Sequence, residues 1–254
     1  AVHLSKSARI VNTVPEIMAT WEAAVAAIVL LAVCHGSKDT LMKDYPAVTY
    51  FSAPQIIHND NKFRLHSHAI NYGNSPGSGQ QSVTGFDQAH HENLFQIVAA
   101  YGKPAIPTGT NISCGSTIRL KHVGTQKFLH SHLHKSPLSQ NQEVSCFGND
   151  AGSDSGDNWK VVCSETFWGR KTVVEFLHVD TQKYLAMKQN SMYTNANCPQ
   201  CPIIGQLEVF CQGQSNRDTK FKAAEGIYHR LPTQDDVEVE DDDDSSGENY
   251  ERDL

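Results

Sequence analysis

Beyond residue 47 the sequence has no window with a sustained helical stripe of apolar residues, which argues against a helical or α/β domain. No stretch is both long and apolar enough to span a bilayer; the longest apolar run, Ala23 to Cys34, is twelve residues. Clustered Lys and Arg are missing, so nucleic-acid binding is not expected. There is also no nucleophile–base motif, no phosphate-cradling glycine loop and no pair of carboxylates on a scaffold that would hold them; Gly77-Ser-Gly79 reads as a turn. The expectation is a protein that is not an enzyme and carries no cofactor.

The chain has 254 residues, with 39% hydrophobic and 19% charged, ordinary values for a globular protein with a real core. Its net charge of −7 is unevenly spread. Residues 235–254 hold eleven acids against one Arg, so the tail carries −10 and residues 1–234 carry +3. Such a tail is normally solvated, and its carboxylates lack the fixed loop that strong Ca²⁺ binding needs.

Both ends carry features of the secretory pathway. Residues 18–36 resemble a signal peptide starting at Met18, with an apolar run of the right length followed by small residues at workable cleavage spacings; Glu22 stands where a basic residue is usual. Residues 1–36 are therefore read as upstream residues plus signal, 37–47 as a linker and 230–254 as the acidic tail. The chain closes on Glu251-Arg252-Asp253-Leu254, which resembles the retrieval signal of the early secretory pathway with its basic and acidic residues reordered. Asn111-Ile112-Ser113 is a glycosylation sequon after a turn-rich stretch, which predicts a surface loop.

The strongest signal is an internal repeat. His58 to His68, His122 to His132 and His178 to Lys188 align, with starts 64 and 56 residues apart. The register continues through Gly79–Thr84, Gln140–Ser145 and Gly205–Phe210, and each repeat closes on an aromatic: Phe95, Trp159 and Phe221. The third repeat carries about six extra residues near Asn195–Pro202. Short alternating runs such as Ile118-Arg-Leu-Lys-His read as strands separated by turns. A unit of such strands cannot bury its faces alone, so three units (about 48–102, 112–166 and 168–227) are expected to share one all-β core over 48–229.

The motif residues resemble a known family. Leu65-His66-Ser67-His68, Leu129-His130-Ser131-His132, the Gly79–Gly85 and Ser136–Ser145 runs, and Asp157-Asn-Trp159 are similar to stromal cell-derived factor 2 and its relatives. The resemblance covers roughly residues 45–227 and implies a β-trefoil of three MIR repeats in the endoplasmic reticulum lumen. It implies a DnaJ-type co-chaperone, the Hsp70 machinery and unfolded clients as partners. Because MIR motifs also occur in mannosyltransferases, it implies an alternative as a glycan-binding module linked to protein O-mannosylation. Tyr72 and Tyr193 are the aromatic candidates for sugar stacking. The third repeat departs from the family at Leu185-Ala-Met-Lys188.

Alternate histidines on a strand share a face, so His66, His68, His130, His132 and His134 suggest metal ligands. A threefold relation points the two motifs apart, however. The expectation is no metal, with one His of each motif capping a turn or satisfying buried backbone and the other exposed. Among the cysteines left after the signal, Cys114 and Cys163 bracket the second repeat. The equivalent positions are Tyr50 and Ala99 in the first repeat and Arg170 and Glu225 in the third. Both cysteines are present in one repeat and both absent from two, which is how a bonded pair behaves; closing that loop contributes ~3–4 kcal/mol. Cys198-Pro-Gln-Cys201 has redox spacing without a following helix, so one of the two is expected to pair with Cys211.

Overall fold

The computed structural model describes residues 47–73 and 77–232. The signal-like segment from Met18, most of the linker, the acidic run from Asp235 and Glu251–Leu254 lie outside the described residues. No helix among the described residues is long and apolar enough to cross a membrane.

Among the described residues, twelve strands fall into three sets of four. The first holds β1 (Ala53–His58), β2 (Arg64–Asn71), β3 (Gln81–Phe86) and β4 (Phe95–Ala99). The second holds β5 (Thr117–His122), β6 (Phe128–Lys135), β7 (Gln142–Phe147) and β8 (Trp159–Val162). The third holds β9 (Glu175–His178), β10 (Lys183–Met192), β11 (Leu207–Gln212) and β12 (Phe221–Ile227). One-turn 3-10 helices precede the closing strands: η1 (His91–Asn93), η2 (Ser155–Asp157) and η3 (Arg217–Thr219). Alternation decides the strand faces. In β5, Ile118 and Leu120 are fully buried while Arg119 between them lies partly exposed over the Phe128 ring.

Six strands close a barrel. Ladders join consecutive sets through β4–β5, β8–β9 and β12–β1. Within each set the first strand or its lead-in meets the last, by the β5–β8 pairing and the bridges Gln55↔Leu94 and Val174↔Phe221. The hairpins β2–β3, β6–β7 and β10–β11 cap this barrel, and their second strands pair cyclically, β3 with β7, β7 with β11 and β11 with β3. This is a β-trefoil, in which closure removes the open sheet edges.

Where each repeat begins, three main-chain bonds form a ring. Val48 N–H donates to Trp168 O at 2.8 Å, Trp168 N–H to Ile112 O at 2.8 Å, and Ile112 N–H to Val48 O at 3.2 Å. The three residues are fully buried and keep the 64- and 56-residue offsets of the motif. Phe95, Trp159 and Phe221 share the core with Leu65, Leu129 and Leu185, all fully buried. Trp159 Nε1 donates to Leu129 O at 2.9 Å, so its one polar group is satisfied inside.

The cap shows how the third repeat diverges. Gln81 Nε2 donates to Ser67 Oγ and to Thr125 Oγ1 of the next repeat, each at 2.8 Å. Gln142 Nε2 does the same to Ser131 Oγ and Thr181 Oγ1. In the third repeat Met187 and Leu207 hold these positions, and an apolar contact replaces the polar one. Opposite the motif leucines stand Gly85, Cys146 and Cys211, at Leu65↔Gly85, Leu129↔Cys146 and Leu185↔Cys211. Burial pushes the Cys146 and Cys211 thiols up to about 12, against a smaller opposing pull from the Ser67 and Ser131 hydroxyls.

Cys114 is bonded to Cys163, and Cys198 to Cys201. The expected pairing of Cys211 with one of the latter is therefore corrected. Cys211 points into the core from β11 and is free, whereas Cys198 and Cys201 sit on the loop joining β10 to β11.

Candidate functional site

Each repeat brings the middle of its hairpin strand against its 3-10 turn, and a notch lies between them. The turns are built by side-chain caps: His90, Asp154 and Asn216 accept the N–H of Glu92, Gly156 and Asp218. The last residue of each turn, Asn93, Asp157 or Thr219, is fully buried ahead of the closing aromatic.

The first motif histidine fills the notch in two repeats. His66 Nδ1 lies 2.7 Å from Asn93 Oδ1, and His130 Nδ1 lies 3.1 Å from Asp157 Oδ1. Its partner is thus a buried side chain on the turn, not the backbone. The second histidine folds over it: His68 Nδ1 is 2.9 Å from His66 Nε2, and His132 Nε2 is 3.0 Å from Glu143 Oε1. Neither His68 nor His132 is exposed, which corrects that expectation. His134, two residues farther on, is exposed. Turn capping belongs to other histidines. His58 Nδ1 accepts from the N–H of Asp60 and Asn61, while His122 and His178 bond Thr125 and Thr181 through Nδ1. The far nitrogens of the latter two meet Glu92 O and Gly156 O of the preceding repeat, at 3.0 and 2.9 Å.

Burial lowers the His66 imidazole to about 4, against the bond to Asn93 that favours its charged form. Burial likewise lowers His58, His68, His122 and His178. The one grouping among the described residues with metal-ligand geometry is His130, Asp154 and Asp157, whose donor atoms lie within 4.8 Å of one another. Each is already used. Asp154 caps η2 through Gly156 N–H at 2.8 Å, and Asp157 accepts from both His130 and Ser153 Oγ. The first repeat builds the same histidine–turn contact with the neutral Asn93, so that contact does not depend on a metal. Ser153 donates to Asp157 and not to an imidazole.

Two buried carboxylates pin the hairpin loops. Glu143 accepts the Ser78 N–H of the first repeat's loop, and Glu208 accepts the N–H of Leu138 and Ser139 in the second's. In the first repeat Ser82 stands at that position and donates to Ile70 O instead. The third loop, residues 193–206, is held by the Cys198–Cys201 bond and by Thr84 Oγ1 on Gln206. Tyr72 and Tyr193 are buried, at 7% and 2% exposure, so they are not sugar platforms. They follow the strand bulges and turn inward, Tyr72 Oη donating to Val83 O at 2.7 Å. Asn111 is half-buried and its backbone bridges Thr49 beside the ring of Val48, Ile112 and Trp168, while Ser113 is exposed.

The third notch is different. Ala186 pairs with Phe210 as His66 pairs with Thr84 and His130 with Ser145, so ring bulk comes from the partner strand. Lys188 stands at the position of His68 and His132 but is exposed. A cleft of about 330 Å³ opens there, lined by Lys188, Gln189, Asn190, Arg217 and Asp218. From sequence only Lys188 stands out, as the end of the departing third motif; the other four do not, because the repeat signal marks what is shared and this cleft arises where sharing ends.

A MIR domain model matches residues 63–222. A stromal cell-derived factor 2-like protein of Dictyostelium discoideum is 42% identical over 196 residues, covering 76% of this chain and 90% of that protein. The crystal structure of the SDF2-like protein from Arabidopsis thaliana is 40% identical with a TM-score of 0.67, covering 74% of this chain and 99% of that one. The structure of the S. cerevisiae protein O-mannosyltransferase Pmt1-Pmt2 complex bound to the sugar donor matches at 25% identity and a TM-score of 0.63, covering 74% of this chain and 27% of that one.

Proposed function

The chain belongs to the stromal cell-derived factor 2 family of MIR-domain proteins, and on that premise we propose that it is a non-catalytic adaptor of the endoplasmic reticulum lumen. In this reading it serves protein folding and quality control with a DnaJ-type co-chaperone, the Hsp70 machinery and unfolded clients. The observation that carries it is that the family match spans 90% of the Dictyostelium relative, on a fold whose buried notch histidines and Asp157 carboxylate are spent on structure. The retrieval-like Glu251–Leu254 and glycosylation at Asn111 belong to the same reading. Affinity purification from endoplasmic reticulum lumen, with the full chain and with Glu251–Leu254 removed, tests it. Recovery of a DnaJ-type partner by the full chain is expected; its absence would end the adaptor reading.

A second reading is a glycan-binding module tied to O-mannosylation. It is favoured by the 25% identity over 74% of this chain to a mannosyltransferase complex, and by a small polar cleft in the third repeat. Glycan-array binding by the protein is the expected result.

A further inference from the structure

The geometry points to the third-repeat cleft as a site for one neutral sugar residue, held through its hydroxyls; the assignment rests on the glycan reading above. Three observations converge on it. The β10–β11 ladder skips from Met187↔Val209 to Met192↔Leu207, one residue more on the bulged strand than Ser67 to Asn71 in β2 or Ser131 to Lys135 in β6. Residues 188–191 therefore leave the ladder and turn toward η3. In the other repeats the second histidine closes the same notch, tied to His66 or to Glu143. Lys188 has neither tether: Ala186 offers no imidazole, and Glu208, at the Glu143 position, accepts from Leu138 and Ser139 while Lys188 lies exposed. The resulting cleft, at about 330 Å³, sits at the small end of the range of roughly 300–1,000 Å³ for ligand sites.

The lining selects the ligand class. A simple ion of either sign gains little, because Arg217 Nε already has Asp60 Oδ2 at 3.8 Å and Asp218 Oδ1 at 3.9 Å, which with Lys188 leaves two positive and two negative groups. An apolar ligand finds only polar residues on the wall. What remains is a molecule that both donates and accepts at neighbouring positions. The Gln189 and Asn190 amides offer both roles, Lys188 donates and Asp218 accepts, which suits adjacent hydroxyls of a hexose.

The test is a titration of the full isotope-labelled chain with methyl α-mannoside, followed by amide NMR shifts, with inorganic phosphate in parallel. Millimolar binding with shifts confined to residues 188–190 and 216–218 is expected. Q189A/N190A should weaken it at least tenfold with the rest of the spectrum unchanged, and K188A provides a second variant. Phosphate producing equal or larger shifts, or mannoside shifts elsewhere, overturns the assignment. Array binding that survives Q189A/N190A removes this site but leaves the glycan reading. No binding to any glycan removes both.

Discussion

Met187 of the third repeat occupies the space beside the bare Cα of Gly85 in the first: a Cβ there would lie 2.5 Å from its Sδ and 2.9 Å from its Cε. The other two corners of the cap pair a small residue with a larger one in reverse, Ser67 with Cys146 and Ser131 with Cys211. Volume is thus conserved around the pseudo-threefold axis while the identities change. Gly85→Cys should cost ~1–3 kcal/mol from overpacking, and Met187→Ser ~2–4 kcal/mol from the cavity. The double variant should lose less than the sum by at least ~1 kcal/mol, because each change supplies what the other removes. Urea unfolding measures all three, and strict additivity would sink the idea.

Trp159 closes the second repeat with its ring fully buried and its Nε1 satisfied by Leu129 O. Trp159→Ala should cost ~3–5 kcal/mol. Trp159→Phe should cost clearly less, since Phe95 and Phe221 show that the corresponding sites accept a phenyl ring, although Leu129 O then loses its donor. Denaturant midpoints give the ranking; equal losses for the two variants would contradict it.

The repeat was legible because the same apolar positions recur at fixed offsets. Val48, Ile112 and Trp168 close the barrel by backbone bonds that require only that register. The notch was not legible in the same way. The bonds of His66 to Asn93 and of Glu143 to Ser78 join residues 27 and 65 positions apart, and neither pair has a local signature. Tyr72 and Tyr193 misled for a related reason. Each lies in a loop by sequence, yet a bulge in the preceding strand rotates it into the cap. Cys211 misled because alternation along β11, read without its partner strands, does not say which face is the core.

The two disulfides should separate in their effects. Cys114–Cys163 bridges 49 positions, and Cys198–Cys201 three. Replacing the first pair with serine should cost ~3–4 kcal/mol and the second ~2 kcal/mol or less. Loss of the second should instead raise protease cutting within residues 193–206, the one hairpin loop with no buried glutamate holding it. Thermal unfolding and limited proteolysis read the two. A larger stability loss from the Cys198–Cys201 variant would overturn the assignment.

Acid sensitivity follows from the buried histidines. His66 is lowered to about 4, chiefly by burial, and His58, His68, His122 and His178 are lowered for the same main reason. In the unfolded chain these imidazoles take up protons near the ordinary value of about 6.5. Below that pH the unfolded state binds more protons than the folded one, so the histidines' contribution makes stability fall as pH drops from about 6.5 toward 4 and adds no slope just above that window. Denaturant midpoints should therefore decline through that window. His66→Gln keeps an amide that can bond Asn93 while removing one titrating group, so its decline should be shallower than that of the unaltered protein. An unchanged slope in this variant would mean that His66 does not contribute, and that the remaining four histidines carry the whole effect.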